Sequence, residues 1–382
     1  MRRFDQPSPM RLRASFLLLG AILTCRAAAA QQPAPDLTTR LENAFRDSVA
    51  AAGIIGAQLA VWIPGRGLWS TEFGTDEPGR PMTATAMLGT GSISKMLAAV
   101  AVLRLVDQGK LTLDDTVGRW LAEFPTVPPH LQVRALLWHQ SGLPEYGGFP
   151  GFADSVRANP ERSWTSPELI RFIGPPDFEP GTSWRASNTD RLLLGEIVAR
   201  VTGRPLGEYM RREFFTRGDG SSWTPGQQKR PRARVATHWT VDTTGRRVNL
   251  SELIFNASLF TARIETYISA RDLALFAQRL FAGDLLSRRG KETLFTIVPD
   301  DQRIPGQTGG GVGIRRFEYF GRLQYGNSGA TPNSSALYLY DPETKVIVAL
   351  STNQSGASHR NSHFRIVPLL MQIANEAVSP RR

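Results

Sequence analysis

A serine and a lysine three residues apart, Ser92 and Lys95, stand where the segment Leu88-Gly-Thr-Gly-Ser-Ile-Ser-Lys95 runs into an apolar stretch over residues 96 to 109. Leu97, Val100, Val102, Leu103, Leu105 and Val106 make that stretch apolar nearly all round, which predicts a central, buried helix. Ser92 then falls at the helix N-terminus, with Lys95 one turn on, on the same face and within reach of the hydroxyl. A lysine withdrawn from water sheds its proton near neutral pH and takes the serine's, while the helix N-terminus stabilises developing negative charge. The chemistry expected is nucleophilic attack by Ser92 with Lys95 as its base. The competing reading is an ordinary helix cap at Ser94 beside a surface lysine.

These side chains need a scaffold, and the pattern along the chain supplies one. Residues 37 to 52 carry helical spacing (Leu41, Phe45, Val49), and residues 56 to 64 and 67 to 73 read as two β-runs around a Pro-Gly-Arg-Gly turn. Helical patterns dominate from about residue 90 to 285. Strand character returns over residues 311 to 320, 323 to 325, 335 to 340 and 345 to 352, and residues 364 to 378 close the chain as a helix. The expected fold is α+β. An antiparallel sheet flanked by terminal helices would be built from residues 31 to 90 and 286 to 382, with residues 91 to 285 inserted as a mainly helical region and the site at their interface.

Three ordered blocks of residues resemble the serine β-lactamase-related family, which contains class C β-lactamases, D-aminopeptidases, D,D-carboxypeptidases and esterases. The first is Ser92 to Lys95 with its flanks Lys110-Leu-Thr-Leu-Asp-Asp115 and Val133-Arg-Ala-Leu-Leu-Trp-His139-Gln-Ser-Gly-Leu-Pro144. Next come Phe178-Glu-Pro-Gly181-Thr-Ser-Trp184-Arg-Ala-Ser-Asn188 and Tyr325-Gly-Asn327-Ser-Gly329-Ala-Thr-Pro332. The resemblance covers residues 37 to about 376 and implies a β-lactamase/D,D-peptidase-like fold. It makes Ser92 the nucleophile, Lys95 the base, and the backbone N–H groups of Ser92 and Ala330 the oxyanion hole. Asn188, Asn327, Ser328 and Gly329 become substrate-binding positions.

Two positions depart from the family pattern. Its Tyr-x-Asn motif here has Ala186 in place of the tyrosine, and its His-x-Gly or Lys-Thr-Gly motif reads Asn327-Ser328-Gly329. The first change removes a phenol from the proton relay, a contribution usually worth about 10² to 10⁴-fold. Tyr146 and Tyr325 are the candidates to replace it, against ordinary aromatic packing for both. The expectation is an acyl-enzyme hydrolase that favours esters over β-lactams or peptides. The alternative is a catalytically impaired envelope protein that binds peptidoglycan-like or penicillin-like ligands or a protein partner.

Other groupings point to weaker chemistry. Gly326-Asn-Ser328-Gly-Ala330 mimics an esterase elbow, but a strand-like segment follows it where that elbow needs a helix. His139 reads as packing, Asp114 and Asp115 as turn residues, and His359 with His363 as a pair lacking a third metal ligand. No metal or organic cofactor is implied.

The composition agrees with a folded enzyme. Of 382 residues, 41% are hydrophobic and 21% charged, which excludes a disordered chain, and no repeat or heptad array runs through it. Arg2, Arg3, Arg11 and Arg13 precede an apolar run over residues 14 to 23 and Ala28-Ala-Ala30, the pattern of a cleaved signal peptide over residues 1 to 30. That run is about half the length of a membrane span. The expected location is therefore periplasmic or secreted. Cys25, the single cysteine, lies inside the segment in a poor lipoprotein box, so the mature chain has no disulfide or thiolate site. Cleavage there removes five Arg and one Asp, taking the formal charge from +11 to +7, which does not amount to a nucleic-acid footprint.

Overall fold

The computed structural model describes residues 35–77, 80–159, 162, 164–215, 222–223, 235–237, 239–241, 246–249, 266–298, 304–331, 334–354 and 357–378. The signal-like segment and Cys25 lie outside them. In chain order the structure begins with α1 (Pro35–Ala51), β1 (Gly56–Ile63), β2 (Gly67–Glu77), β3 (Arg80–Pro81), β4 (Leu88–Gly89) and α2 (Ile93–Asp107). There follow α3 (Gly118–Leu121), α4 (Val133–Leu137), α5 (Phe152–Ala158), α6 (Ser166–Ile170), α7 (Asn188–Thr202) and α8 (Leu206–Glu213). Short strands β5 (Ser222–Trp223), β6 (Trp239–Val241), β7 (Arg247–Asn249) and β8 (Tyr267–Ile268) precede α9 (Ala270–Phe281) and α10 (Arg288–Leu294). The chain ends with β9 (Ile297–Val298), β10 (Gln307–Gly311), β11 (Arg315–Tyr319), β12 (Arg322–Ala330), β13 (Ser335–Tyr340), β14 (Ile347–Thr352) and α11 (Ala357–Asn375).

Both ends of the chain build one antiparallel sheet of nine strands, in the order β3-β2-β1-β14-β13-β12-β11-β10-β9. The fold is α+β, as the sequence pattern implies. Strands consecutive in sequence within it pair antiparallel, and the β1–β14 pairing (Leu59 opposite Leu350, Val61 opposite Val348) welds the two ends together. Pleat alternation sends Leu59, Val61, Leu337, Leu339, Val348 and Leu350 to one face, against Phe45 of α1 and Ile366, Val367 and Leu370 of α11. Ala60, Tyr338, Tyr340 and Ala349 point to the other, where α9 and the largely buried α2 lie. Each fully buried Leu, Val or Phe in these layers contributes roughly 1.5–3 kcal/mol through water exclusion.

The strands differ from the sequence pattern where glycine decides. Residues 311 to 320 do not form one strand: a turn at Val312-Gly313 divides β10 from β11, with Gly313 at φ +87. A Cβ at Gly313 would lie 2.7 Å from the Met96 Cα, so this turn seats directly on α2. The run expected over 323 to 325 extends through Gly326 and Gly329 to Ala330. Glycine is a weak strand former, but here the backbone must approach its neighbours closely. The last helix starts seven residues earlier than the apolar pattern implies, at Ala357. A small second sheet, β4-β8-β5, joins the strand just before α2 to two short strands from residues 222–223 and 267–268.

Gly329 is the tightest of these approaches. A Cβ there would sit 2.0 Å from the Thr90 carbonyl oxygen and 2.5 Å from the Ser92 nitrogen, so β12 lies backbone to backbone on the start of α2. Gly329→Ala is expected to lose about 1–3 kcal/mol of stability through overpacking. Urea denaturation checks this, with Gly148→Ala as a control that meets nothing within 4 Å.

Candidate active site

Ser92 caps α2, but its side chain makes no capping hydrogen bond. The hydroxyl is left for Lys95, whose Nζ donates to Ser92 Oγ at 2.9 Å and to Asn188 Oδ1 at 3.1 Å. Ser94, the neighbouring serine, does structural work instead: it is fully buried, its Oγ lies 2.9 Å from Thr90 Oγ1, and it accepts the Thr266 N–H. The surface-lysine reading fails, because the Lys95 ammonium is half-buried and faces a cleft of about 200 Å³. Ser92, Lys95, Ala186, Asn188 and Asn327 line this cleft together with Glu145, His139, Trp184 and Arg315.

The resemblance to a known pattern misplaces some side chains. In β12, Ser328 pairs with Leu337 and so faces the α11 layer, away from the cleft. A substrate-binding role for its side chain is corrected on that ground. Asn327 does reach the cleft wall, but its amide is engaged within the protein: Nδ2 donates to the Gly313 carbonyl at 2.6 Å and Oδ1 accepts from Ser328 N–H at 2.8 Å. Its work is to hold the β10–β11 turn. Gly329 serves by having no side chain, and Gly91, at φ +54, has the Ala330 nitrogen 2.3 Å from where its Cβ would be. The Ala330 amide is thereby brought beside the serine.

Neither candidate phenol stands in the space above Ala186. Tyr146 is 3% exposed and meets the Phe152 ring edge-on at 5.6 Å. Tyr325 packs edge-on against Phe295 at 4.8 Å. Both are aromatic packing, as a bulky ring beside apolar neighbours requires. His363 lies on the α11 side of the sheet, its Nε2 3.3 Å from Thr352 Oγ1 and 3.4 Å from Ser335 Oγ. Asp115 binds the Thr112 hydroxyl and amide and Arg119, closing the turn after α2.

His139, Asp190, Ser141 and Arg191 form a buried cluster beneath the cleft. His139 Nδ1 lies 3.2 Å from Asp190 Oδ2, Nε2 lies 3.0 Å from Arg191 Nη2, and Ser141 Oγ donates to Asp190 Oδ1. Arg191 is completely buried and donates to the Leu136 and Leu137 carbonyls. The acid stands between the serine and the histidine, so no relay runs from His139 to a serine nucleophile. The cluster instead fixes the entry to α7: Ser187 Oγ accepts the Asp190 N–H, and the Arg185 N–H donates to the His139 carbonyl at 2.9 Å. Burial pushes the Asp190 carboxyl up to about 8, and burial, with the Arg191 and Lys95 charges, holds the His139 imidazole well below its usual range.

Glu145 carries no signal in the sequence that ties it to Ser92, yet the fold puts it in the cleft. Its Oε1 accepts the Asn188 N–H at 2.6 Å. Burial raises its pKa, opposed first by that hydrogen bond and then by the Lys95 charge. The only hint in the chain is a carboxylate in the loop directly after Leu143-Pro144, between two of the family blocks.

The family model described as Beta-lactamase matches residues 41–369. An esterase, EstB of Burkholderia gladioli, is 34% identical over 190 residues, 45% of this chain and 47% of its own. A penicillin-binding protein of Bacillus subtilis (strain 168) is 24% identical over 296 residues, 74% of this chain and 64% of its own. The chain thus spans about half to two-thirds of the length of these relatives. Among solved structures, the D-amino acid amidase from Ochrobactrum anthropi SV3 complexed with L-phenylalanine superposes with a TM-score of 0.77 at 25% identity, covering 90% of this chain and 100% of that one.

The buried cluster gives a pH test. Asp190 is protonated in the fold and ionised in the unfolded chain, so its contribution to stability is lost as pH rises towards about 8. Between pH 7 and 8, where His139 is neutral in the fold and mostly neutral in the unfolded chain, unfolding free energy is expected to fall by up to about 1.4 kcal/mol per pH unit. In Asp190→Asn that slope should disappear, which urea titrations across this range would read.

Proposed function

The chain belongs to the Beta-lactamase family, whose model spans most of its length, and from that premise we propose that it is an exported serine acyl-hydrolase acting preferentially on carboxylic esters. The observation carrying this is the Lys95 Nζ contact to Ser92 Oγ at 2.9 Å inside a cleft, with the serine free of capping duty. In the proposed reaction the Ser92 hydroxyl proton passes to neutral Lys95 as the Oγ–C bond forms and the carbonyl becomes an oxyanion. The Ser92 and Ala330 N–H groups are the proposed donors to that oxyanion. Collapse re-forms the carbonyl and breaks the ester C–O bond, and the Lys95 ammonium hands its proton to the departing alkoxide. Water then attacks the acyl carbon and gives a proton to Lys95, which returns it to Ser92 as the carboxylic acid leaves.

Ala186 supports the ester preference. An alkoxide or phenoxide departs with less help from a general acid than an amine does, and the cleft has lost the phenol that would give such help. The similarity to an esterase points the same way. Export rests on the signal-like pattern of residues 1 to 30.

Intact-protein mass spectrometry tests the reading. Incubation with an activated short-chain ester is expected to add one acyl mass to the native protein and none to Ser92→Ala, with release on standing. A penicillin should acylate more slowly. Absence of both adduct and product would sink the hydrolase reading in favour of a ligand-binding envelope protein. Ala186→Tyr is expected to raise β-lactam or amide turnover by about 10²-fold while changing ester turnover less, as steady-state kcat/KM would show.

A further inference from the structure

Glu145 and Asn188 are locked to each other by their neighbours. The Thr189 hydroxyl donates to the Pro144 carbonyl at 2.8 Å and accepts the Tyr146 N–H at 3.0 Å, so it clamps the backbone on both sides of Glu145. Arg185 donates to the Leu143 carbonyl at 3.1 Å and Ser141 Oγ accepts the Leu143 N–H, fixing the same loop from below. The carboxylate then takes the Asn188 N–H at 2.6 Å, and Asn188 turns its Oδ1 to Lys95. An asparagine amide can sit either way round; Lys95 on its Oδ1, together with the side-chain hydrogen bond that Asn188 gives the Glu145 carboxylate besides its backbone N–H, permits only one orientation.

We propose that Glu145 is a positioning residue of the acyl-transfer reaction: through Asn188 it holds Lys95 against Ser92, and its charge keeps the transferred proton on Lys95 until the leaving group takes it. This rests on the hydrolase reading above. The need for it follows from Ala186. With no phenol in the cleft, Lys95 both removes the serine proton and hands it on, so the ammonium formed between these steps requires a nearby counter-charge. Tyr146 and Tyr325 are packed elsewhere, and His139 is held neutral among Arg191 and Asp190. Among the described residues, the ionisable groups facing Glu145 are Lys95 from α2, Arg185 from the segment before α7, and Asp190 from α7 itself. Of these, Lys95 is the one in contact with the serine hydroxyl.

The test uses full-length protein and two variants, Glu145→Gln, which keeps shape and removes charge, and Glu145→Asp, which restores charge. The pH dependence of kcat/KM for an activated phenyl ester is measured, together with the pH dependence of Lys95 acetylation by acetic anhydride, quantified by peptide mass spectrometry. A carboxylate favours a neighbouring ammonium, so Glu145→Gln should move the rising limb of kcat/KM and the onset of Lys95 acetylation to lower pH together, with KM little changed. Glu145→Asp should move both back towards the native values. Unchanged midpoints in Glu145→Gln, with native-like unfolding, would overturn the inference while leaving the hydrolase reading intact. If native protein fails to acylate at Ser92, the hydrolase reading falls, and Lys95 acetylation that still responds to Glu145→Gln would retain the coupling but not its role in catalysis. The proposed catalytic role is overturned in that case as well.

Discussion

The approach of β12 to the first turn of α2, backbone against backbone, is the constraint on which the rest of the site depends. Gly329 and Gly91 make it sterically allowed, since Cβ atoms there would lie 2.0 and 2.3 Å from main-chain atoms of the opposing segment, and Gly313 lets the β10–β11 turn sit beside it, where a Cβ would lie 2.7 Å from the Met96 Cα. Because the contact is main chain to main chain, the Ala330 amide and the serine at the head of α2 are set by covalent geometry. Side chains of β12 can then change without moving those amides. Asn327 is an example, since its amide has been turned to holding the Gly313 turn.

A buried helix supports the other side of the site. α2 is enclosed by apolar residues on nearly every face, so its axis and rotation are fixed by packing, and Ser92 and Lys95 inherit that rigidity. Charge inside such a core has to be met locally. Asn188 meets the Lys95 ammonium directly, and beneath it the Asp190, His139, Arg191 and Ser141 cluster pins the start of α7, from which Asn188 projects. Losing a partner is costly for polar groups at this depth, and here a histidine, an acid and an arginine bond to one another and to the Leu136 and Leu137 carbonyls.

The terminal helices and the sheet behave as a frame. α1 and α11 cover one face, and β1 beside β14 closes the chain upon itself, so the inserted helical region is held at both its entrance and its exit. The site lies where the frame's strand β12 meets the insertion's helix α2. Polar residues from four separated stretches, near 92, 145, 188 and 327, converge there.

The sequence by itself determined the α+β architecture, the buried helix and the Ser92–Lys95 pair, because a three-residue spacing on a helix places two side chains on one face whatever surrounds them. It also marked Ala186 as the place where a phenol is absent. Only the tertiary structure decided which residues share the cleft with that pair. Glu145 lies in a loop whose path is set by Thr189 and Arg185, side chains far away in the chain, and no local periodicity encodes that contact. Ser328, a substrate-binding position by resemblance, is a different case: strand alternation sends it away from α2, and the register that fixes which residue faces inward comes from pairing with β13. Tyr146 and Tyr325 show the same limit, since an aromatic residue near a motif is equally at home in the core, and packing against Phe152 and Phe295 settled both.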